Sequence, residues 1–422
     1  MVPDCVRSSA QMSKCVRIRR RLRESLVLAD PIGTLGWRLS SSPSAAVQEG
    51  RIPLATTTPK KLFLVAAARP NFMKVAPIWK ALREGGSRIE PVLIHTGQHY
   101  DRNMSDVFFE DLGLPKPAVH LGVGGGTHAE QTAGVLVKFE SLCFENRPDM
   151  VLVVGDVNAT MATSLVSAKL HIPVAHVEAG LRSGDMRMPE EINRLMTDAI
   201  SDLLFTPSPD ADENLRAEGV REERIHHVGN VMIDSLITTI DKARQLGTYA
   251  ELGLRKEGYG VVTLHRPSNV DDADRLELLL NLLCELDLPL IFPVHPRTKA
   301  MIDQHDLVAR CSIDRSKLQL LEPLGYYEFM NLISHAQLVL TDSGGLQEET
   351  TFLGVPCLTM RPNTERPITI TQGTNELATF KSLPGQVESI LSGQWKVGQC
   401  PDLWDGKTAP RIIEVLEQYL EV

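Results

Sequence analysis

From Lys60 onward the chain alternates short runs rich in Val, Ile and Leu with polar loops and longer stretches of helical periodicity. KLFLVAAA (61–68), PVLIHTG (91–97), MVLVVGD (150–156), PVAHVEA (173–179) and LLFTPS (203–208) are apolar on both faces of an extended chain. They read as buried parallel strands. Between them lie helical segments such as MKVAPIWKALREG and ATMATSLVSAKLH. A second series follows the helical stretch IDSLITTIDKARQLG (233–247): GVVTLH (260–265), PLIFPVH (289–295), LQLLEP (318–323), AQLVLTDS (336–343) and VPCLTM (355–360). Strand and helix in strict alternation, twice over, predict an α/β protein of two Rossmann-like, doubly wound domains with a cleft between them. Ligands of such sheets bind beyond the carboxyl ends of the strands.

The first domain is expected over 59–232 and the second over 233–402, with a C-terminal helix in 403–422 packing back on the first. Residues 1–58 differ, with nine basic residues against four acidic, the run RIRRRLR at 17–23 and SSSPS at 40–44. They read as a disordered extension or an upstream mis-assigned start, ahead of a nucleic-acid arm or a targeting peptide.

The 422 residues carry a net charge of −9 and lack the global basic field of a nucleic-acid binder. Any anionic ligand is then small and met by local cations. Seven scattered cysteines, none in a C-x-x-C pair, argue against a disulfide framework or a zinc site and for a reducing, cytoplasmic setting. No apolar run reaches the roughly 18 residues that a membrane span needs.

The strand ends carry the chemistry. ARPNFMKVAP places Arg69 and Lys74 at a turn and helix start, where main-chain N–H groups favour an anion; a plain loop with surface charges reads the same way. VVGDVNAT puts Asp156 at the next tip, with Asn158 or Thr160 as helix cap. AHVEAGLR puts Glu178 at the tip beside it, so two carboxylates reach one substrate. MPEEINR looks like an ordinary helix start, proline first and acids in the first turn. In the second half TLHRPSN and PVHPR set His265, Arg266, His295 and Arg297 beyond strands, and MRPNTERP adds Arg361 and Arg366. TDSGGLQEET gives a Ser343-Gly344-Gly345 turn opening a helix, a phosphate cradle without the Walker lysine spacing, with Glu349 one turn in to hold ribose hydroxyls. Cations thus gather on the second domain and carboxylates on the first, as if one held a nucleoside diphosphate and the other worked on its attached group.

ARPNFMKVAP, TGQHYD, GDVNAT, HVEAGLRSGDMRMPEEINR, TLHR, PVHPR, TDSGGLQEE and NTERP, in this order, closely resemble the non-hydrolysing UDP-N-acetylglucosamine 2-epimerases over about residues 60–395. The resemblance implies a glycosyltransferase-B-type fold, a homodimer and cytoplasmic polysaccharide biosynthesis. It also implies interconversion of UDP-GlcNAc and UDP-ManNAc with no metal or cofactor. The family's route is elimination of UDP to 2-acetamidoglucal and re-addition. Carried over, Asp156, Glu178 and Glu190 are the acid–base residues, with His265 near the diphosphate and linked to catalysis. Arg69, Lys74, His295, Phe329 beside the uracil, Ser343, Gly344, Gly345, Glu349 and Arg366 are the substrate and UDP contacts. Arg182, Arg187, Glu191 and Arg194 hold the loop and helix in place.

Gln98 and His99 keep part of a string that binds an allosteric second UDP-GlcNAc in many bacterial members, and Tyr100 and Asp101 depart from it. Leu324 stands where glutamine is frequent. A glycosyltransferase of the same fold would share the UDP site. A hydrolysing 2-epimerase would release free N-acetylmannosamine, but the His-Val-Glu and Pro-Glu-Glu segments keep the non-hydrolysing form. A nucleotide-sugar sensor would not need acids facing the sugar.

Overall fold

The structure, a computed structural model, describes residues 58–97, 109, 112–311 and 313–422. The expected N-terminal extension, but for its last residue, and the pair Gln98 and His99 lie outside the described residues. Two fully parallel sheets organise the rest, as the alternation of the sequence anticipates. The first has seven strands: β1 (Lys60–Ala66), β2 (Ile89–His95), β3 (Val119–His120), β4 (Met150–Val154), β5 (Val174–Val177), β6 (Leu203–Thr206) and β7 (Ile225–His227). The second has six: β8 (Gly260–Thr263), β9 (Leu290–Pro293), β10 (Leu318–Leu321), β11 (Leu338–Thr341), β12 (Cys357–Thr359) and β13 (Asn375–Leu377).

Their orders, β3-β2-β1-β4-β5-β6-β7 and β10-β9-β8-β11-β12-β13, follow one rule. In each, the chain winds outward from a central strand, returns, and winds the other way, the Rossmann order. The reversal places crevices between the tips of β1 and β4 and between those of β8 and β11. These crevices receive the Lys74, Asp156 and His265, Ser343 loops.

Both faces of each sheet are covered. Leu62 and Leu64 of β1 join one apolar cluster, with Val75 and Ile78 of the helix Arg69–Glu84. Phe63 and Val65, pointing the other way, join a second cluster with Val135 and Phe139 of the helix His128–Glu145. The second sheet divides likewise: Val262 and Phe292 face one cluster, Val261 and Ile291 another. After its last strand the chain ends in the helix Thr408–Leu420, whose Ile412, Ile413 and Leu416 enter the first sheet's cluster. Asp234 accepts from the Thr408 and Ala409 amides at 3.2 and 2.8 Å and fixes that helix start. Among the described residues no helix is long and apolar enough to cross a membrane.

The helix Asn158–Lys169, directly behind β4, is buried along most of its length although it reads NATMATSLVSAK. Three of its hydroxyls are satisfied within the helix: Thr163, Ser164 and Ser167 each donate to the carbonyl four residues earlier at 2.7–2.8 Å. The expected cap is not formed. The helix begins at Asn158 after Val157, with no side-chain cap bond. The Thr160 hydroxyl instead donates to Val154 O at 3.0 Å, and the Asn158 side chain faces His128, Gln131 and Asn193.

Candidate active site

Arg69 opens its helix immediately after the first strand. Two residues on, the Asn71 carbonyl oxygen accepts from the Ala67 and Ala68 amides, and its amide donates to Val154 O at 3.2 Å. That side chain ties the first loop to the tip of β4. Lys74, one turn into the helix, then reaches Glu178 Oε2 at 2.5 Å across the crevice. Gly155 permits the crossing: its φ is +66°, and a Cβ there would stand 2.9 Å from the Lys74 ammonium.

Glu178 is buried at the tip of β5 with a left-handed φ of +68°. A non-glycine residue holds that conformation only where its surroundings dictate it. They do so through His176, whose Nδ1 lies 2.6 Å from Asp198 and whose Nε2 lies 2.8 Å from Gly155 O. Asp198 also accepts from the Gly180 amide at 3.0 Å and pairs with Arg182 at 2.7 Å. Burial pushes the Asp198 carboxyl up, but His176 and Arg182 outweigh it and hold it below the usual range. The tips of β4 and β5 are therefore braced from beneath, and Glu178 Oε1 is left without a hydrogen-bond partner among the described residues.

Asp156, the neighbouring tip, pairs with the buried Arg194 at 2.6 Å. Arg194 also grips Glu191 at 2.5 Å, and Glu191 accepts from the Ser183 and Gly184 amides. Burial raises the Glu191 carboxyl, and those amides with Arg194 bring it below its ordinary value. Arg187 pairs with Asp185 at the surface at 2.8 Å, and Arg182 with Glu218 at 2.7 Å. Glu190 is half-buried and has neither hydrogen bond nor ion pair to the described residues.

On the second sheet Asp342, fully buried at the end of β11, organises the opposite loop. It accepts from the His265 and Arg266 amides, from Asn269, and from the His265 ring, whose Nδ1 stands 3.1 Å away. Burial raises this carboxyl, and the His265 ring, Asn269 and the Arg266 amide together bring it below its usual range. The His295 ring lies 5.3 Å from that of His265 and accepts the Arg297 amide at its helix start; burial, then His265, lowers its pKa. Ser343 stands at the N-cap position of the helix Gly344–Leu353, with no side-chain cap bond. The Arg366 guanidinium lies against its first residue, where a Cβ on Gly344 would come within 2.6 Å of Nη1. Phe329 sits in the helix Tyr326–Ser334, partly buried on an aliphatic cluster that includes Leu324.

The two sets of tips meet. Arg366 Nη2 is 3.9 Å from Glu178 Oε2, and Asn363 donates to Ser183 O at 3.1 Å. The expected segregation of cations and carboxylates is not observed. Lys74 and Arg194 lie among the first sheet's acids, and Glu348 and Glu365 flank Arg366 at 2.8 and 2.6 Å. Arg297 points away, paired with Asp271 at 2.5 Å. Glu348, Glu365, Asp342 and the His176–Asp198 pair are what sequence reasoning missed. A helical count offered one signal: Glu348 and Glu349 lie four residues after Gly344 and Gly345, on the same face.

A buried acid with one free oxygen, set beside a helix N-terminus and an arginine, suits proton transfer next to a bound phosphate. Comparison with known proteins agrees with that chemistry. The model of the UDP-N-acetylglucosamine 2-epimerase family matches residues 80–417. The UDP-N-acetylglucosamine 2-epimerase of Methanocaldococcus jannaschii is 41% identical over 84% of this chain and 98% of its own length. Its crystal structure in complex with UDP-GlcNAc and UDP superposes with a TM-score of 0.77, covering 85% of this chain and 99% of that one. A UDP-2,3-diacetamido-2,3-dideoxy-D-glucuronate 2-epimerase of Pseudomonas aeruginosa is 42% identical over 75% of this chain and 88% of its own. With one parallel-sheet plan, matched nearly end to end by these relatives, the chain belongs to the UDP-N-acetylglucosamine 2-epimerase family.

Proposed function

We propose that the protein is a non-hydrolysing epimerase that interconverts UDP-GlcNAc and UDP-ManNAc by eliminating UDP to 2-acetamidoglucal and re-adding it with the opposite configuration at C2. The observation that carries the reading is Glu178: its Oε2 is held by Lys74, its Oε1 is unpartnered, and Arg366 of the Gly344 cradle stands 3.9 Å away. Departure of UDP leaves charge on the diphosphate, which the helix N-terminus, Arg366 and His265 stabilise. Inversion at C2 requires one group to take the proton and another to return it, roles for Asp156, Glu178 and Glu190. Ser343, Gly344 and Gly345 would hold the diphosphate with Arg69, Lys74 and His295 near it, Glu349 the ribose, and Phe329 the uracil. We place the enzyme in cytoplasmic polysaccharide biosynthesis as a homodimer. The exposed Phe144 and Val137 of one helix and Met196 and Ile192 of another offer an apolar face to a second copy.

The test is incubation with UDP-GlcNAc in deuterated water, followed by NMR. UDP-ManNAc carrying deuterium at C2 is expected. Free N-acetylmannosamine would make the enzyme hydrolysing, and an unchanged substrate would favour a glycosyltransferase. Because the Pseudomonas relative bears a different substrate in its name, UDP-2,3-diacetamido-2,3-dideoxy-D-glucuronate is the second substrate to try. Glu178→Gln should lower turnover by roughly 10²–10⁴-fold and leave UDP binding near wild type; full residual turnover would remove Glu178 from the mechanism.

A further inference from the structure

Arg366 is enclosed by more negative charge than one guanidinium balances. Its Nε is 2.8 Å from Glu348 Oε1, its Nη1 2.6 Å from Glu365 Oε1 and its Nη2 3.9 Å from Glu178 Oε2. Glu365 has a second cation in Arg361 at 2.8 Å, and Glu178 has Lys74 at 2.5 Å. Among the described residues Glu348 forms no ion pair besides its share of Arg366. Its side chain is buried, and Oε2 has no hydrogen-bond partner among the described residues. Three cations and three carboxylates thus balance before any ligand arrives, and a diphosphate entering beside Gly344 brings negative charge with no counter-charge left in this shell.

The groups facing Glu348 come from four elements: Glu349 on its own helix, Arg366 from the loop after β12, Lys74 from the helix Arg69–Glu84 and Glu178 from the tip of β5. Burial and Glu178 push its carboxyl up while Arg366 and Lys74 pull it down, and it comes to rest at about 7. It is therefore the acid of this cluster that can change state near neutrality at least cost.

We propose that Glu348 is the positioning residue for Arg366: when a diphosphate enters the Gly344–Gly345 cradle, Glu348 Oε2 takes one proton from solvent, and the guanidinium is released to the phosphate. An O–H bond forms on the carboxylate; nothing is oxidised or transferred to substrate. The inference rests on the UDP reading above.

Calorimetric titration of the full chain with UDP at pH 8, in buffers of different ionisation enthalpy, tests it. At that pH a terminal phosphate, with its second pKa of about 6, is fully ionised, so any proton taken up goes to the protein. The wild type should take up close to one proton, and its Kd should rise by up to about tenfold per pH unit above neutrality. Glu348→Gln should bind UDP with no uptake and a flat profile. Wild-type binding without proton uptake, or uptake retained in Glu348→Gln, would each overturn the assignment. Absence of any UDP binding by the wild type would overturn the nucleotide reading itself, and this inference with it.

Discussion

The carboxylates of the cleft fall into two kinds. Asp156 and Glu178 end neighbouring strands, and each stands against a cation, Asp156 against Arg194 at 2.6 Å, which Glu191 shares, and Glu178 against Lys74 at 2.5 Å. Glu348 and Glu349 are consecutive in one helix and buried; the first shares Arg366 with two other acids, and the second meets the Tyr326 hydroxyl at 3.4 Å. Burial raises both, to about 7 and about 8. A carboxyl that is desolvated without a cation of its own becomes a proton holder. The second sheet thus presents acids that can give up or accept a proton near neutrality, while the carboxylates at the first sheet's tips stand against cations.

The most damaging way to break the first half of this contrast is Arg194→Met. Arg194 is among the largest fully buried side chains, and it serves Glu191 and Asp156 together. Its loss leaves Glu191 in the interior without a counter-charge, and urea denaturation should show a fall of about 3–5 kcal/mol. A loss well under 1 kcal/mol would mean that the Ser183 and Gly184 amides hold Glu191 unaided.

Gly344→Ala probes the second half with a smaller effect. The added methyl would stand 2.6 Å from Arg366 Nη1 and 2.7 Å from Glu365 Oε1. Overpacking of this kind costs about 1–3 kcal/mol, so the UDP Kd should rise by roughly ten- to a hundred-fold. An unchanged Kd would show that Arg366 does not reach the nucleotide from this position.

The sequence displays the fold where strands are buried on both faces, because only there is the apolar run continuous. Three strands escaped it: β3, β7 and β13, each of two or three residues and each at a sheet edge. Edge strands are short and half-solvated, so Val119–His120 or Asn375–Leu377 leaves no pattern to read. The site divides in the same way. Asp156 and Glu178 were visible because strand tips carry function, but their partners were not. Lys74 lies 104 positions from Glu178 and Arg194 lies 38 from Asp156, distances over which only the folded chain brings charges together. Glu191, expected to hold the loop in place, satisfies the Ser183 and Gly184 amides that the turn would otherwise bury. Glu348 was visible as a letter beside Glu349, but nothing local says that the helix carrying both is enclosed by Lys74 and Arg366.

Glu349 offers the finest test of the contrast. Burial is the largest cause of its raised pKa, the neighbouring Glu348 adds to it, and Tyr326 works against both. Its folded value of about 8 stands above the ordinary 4.5, so the folded state holds a proton that the unfolded chain has lost across that interval. Stability must then fall as pH rises, by up to about 1.4 kcal/mol per unit. Glu348 adds a like slope, but only to about 7. His226 and His295, both lowered by burial, titrate on the acid side of the same point. Between pH 7 and 8 the slope therefore belongs chiefly to Glu349. Glu349→Gln, compared with wild type by urea denaturation at pH 7.0, 7.5 and 8.0 without nucleotide, should remove most of it, and Glu348→Gln should leave it in place. If both variants keep the wild-type slope, Glu349 is not protonated in the folded chain, and the two halves of the cleft differ less than their geometry indicates.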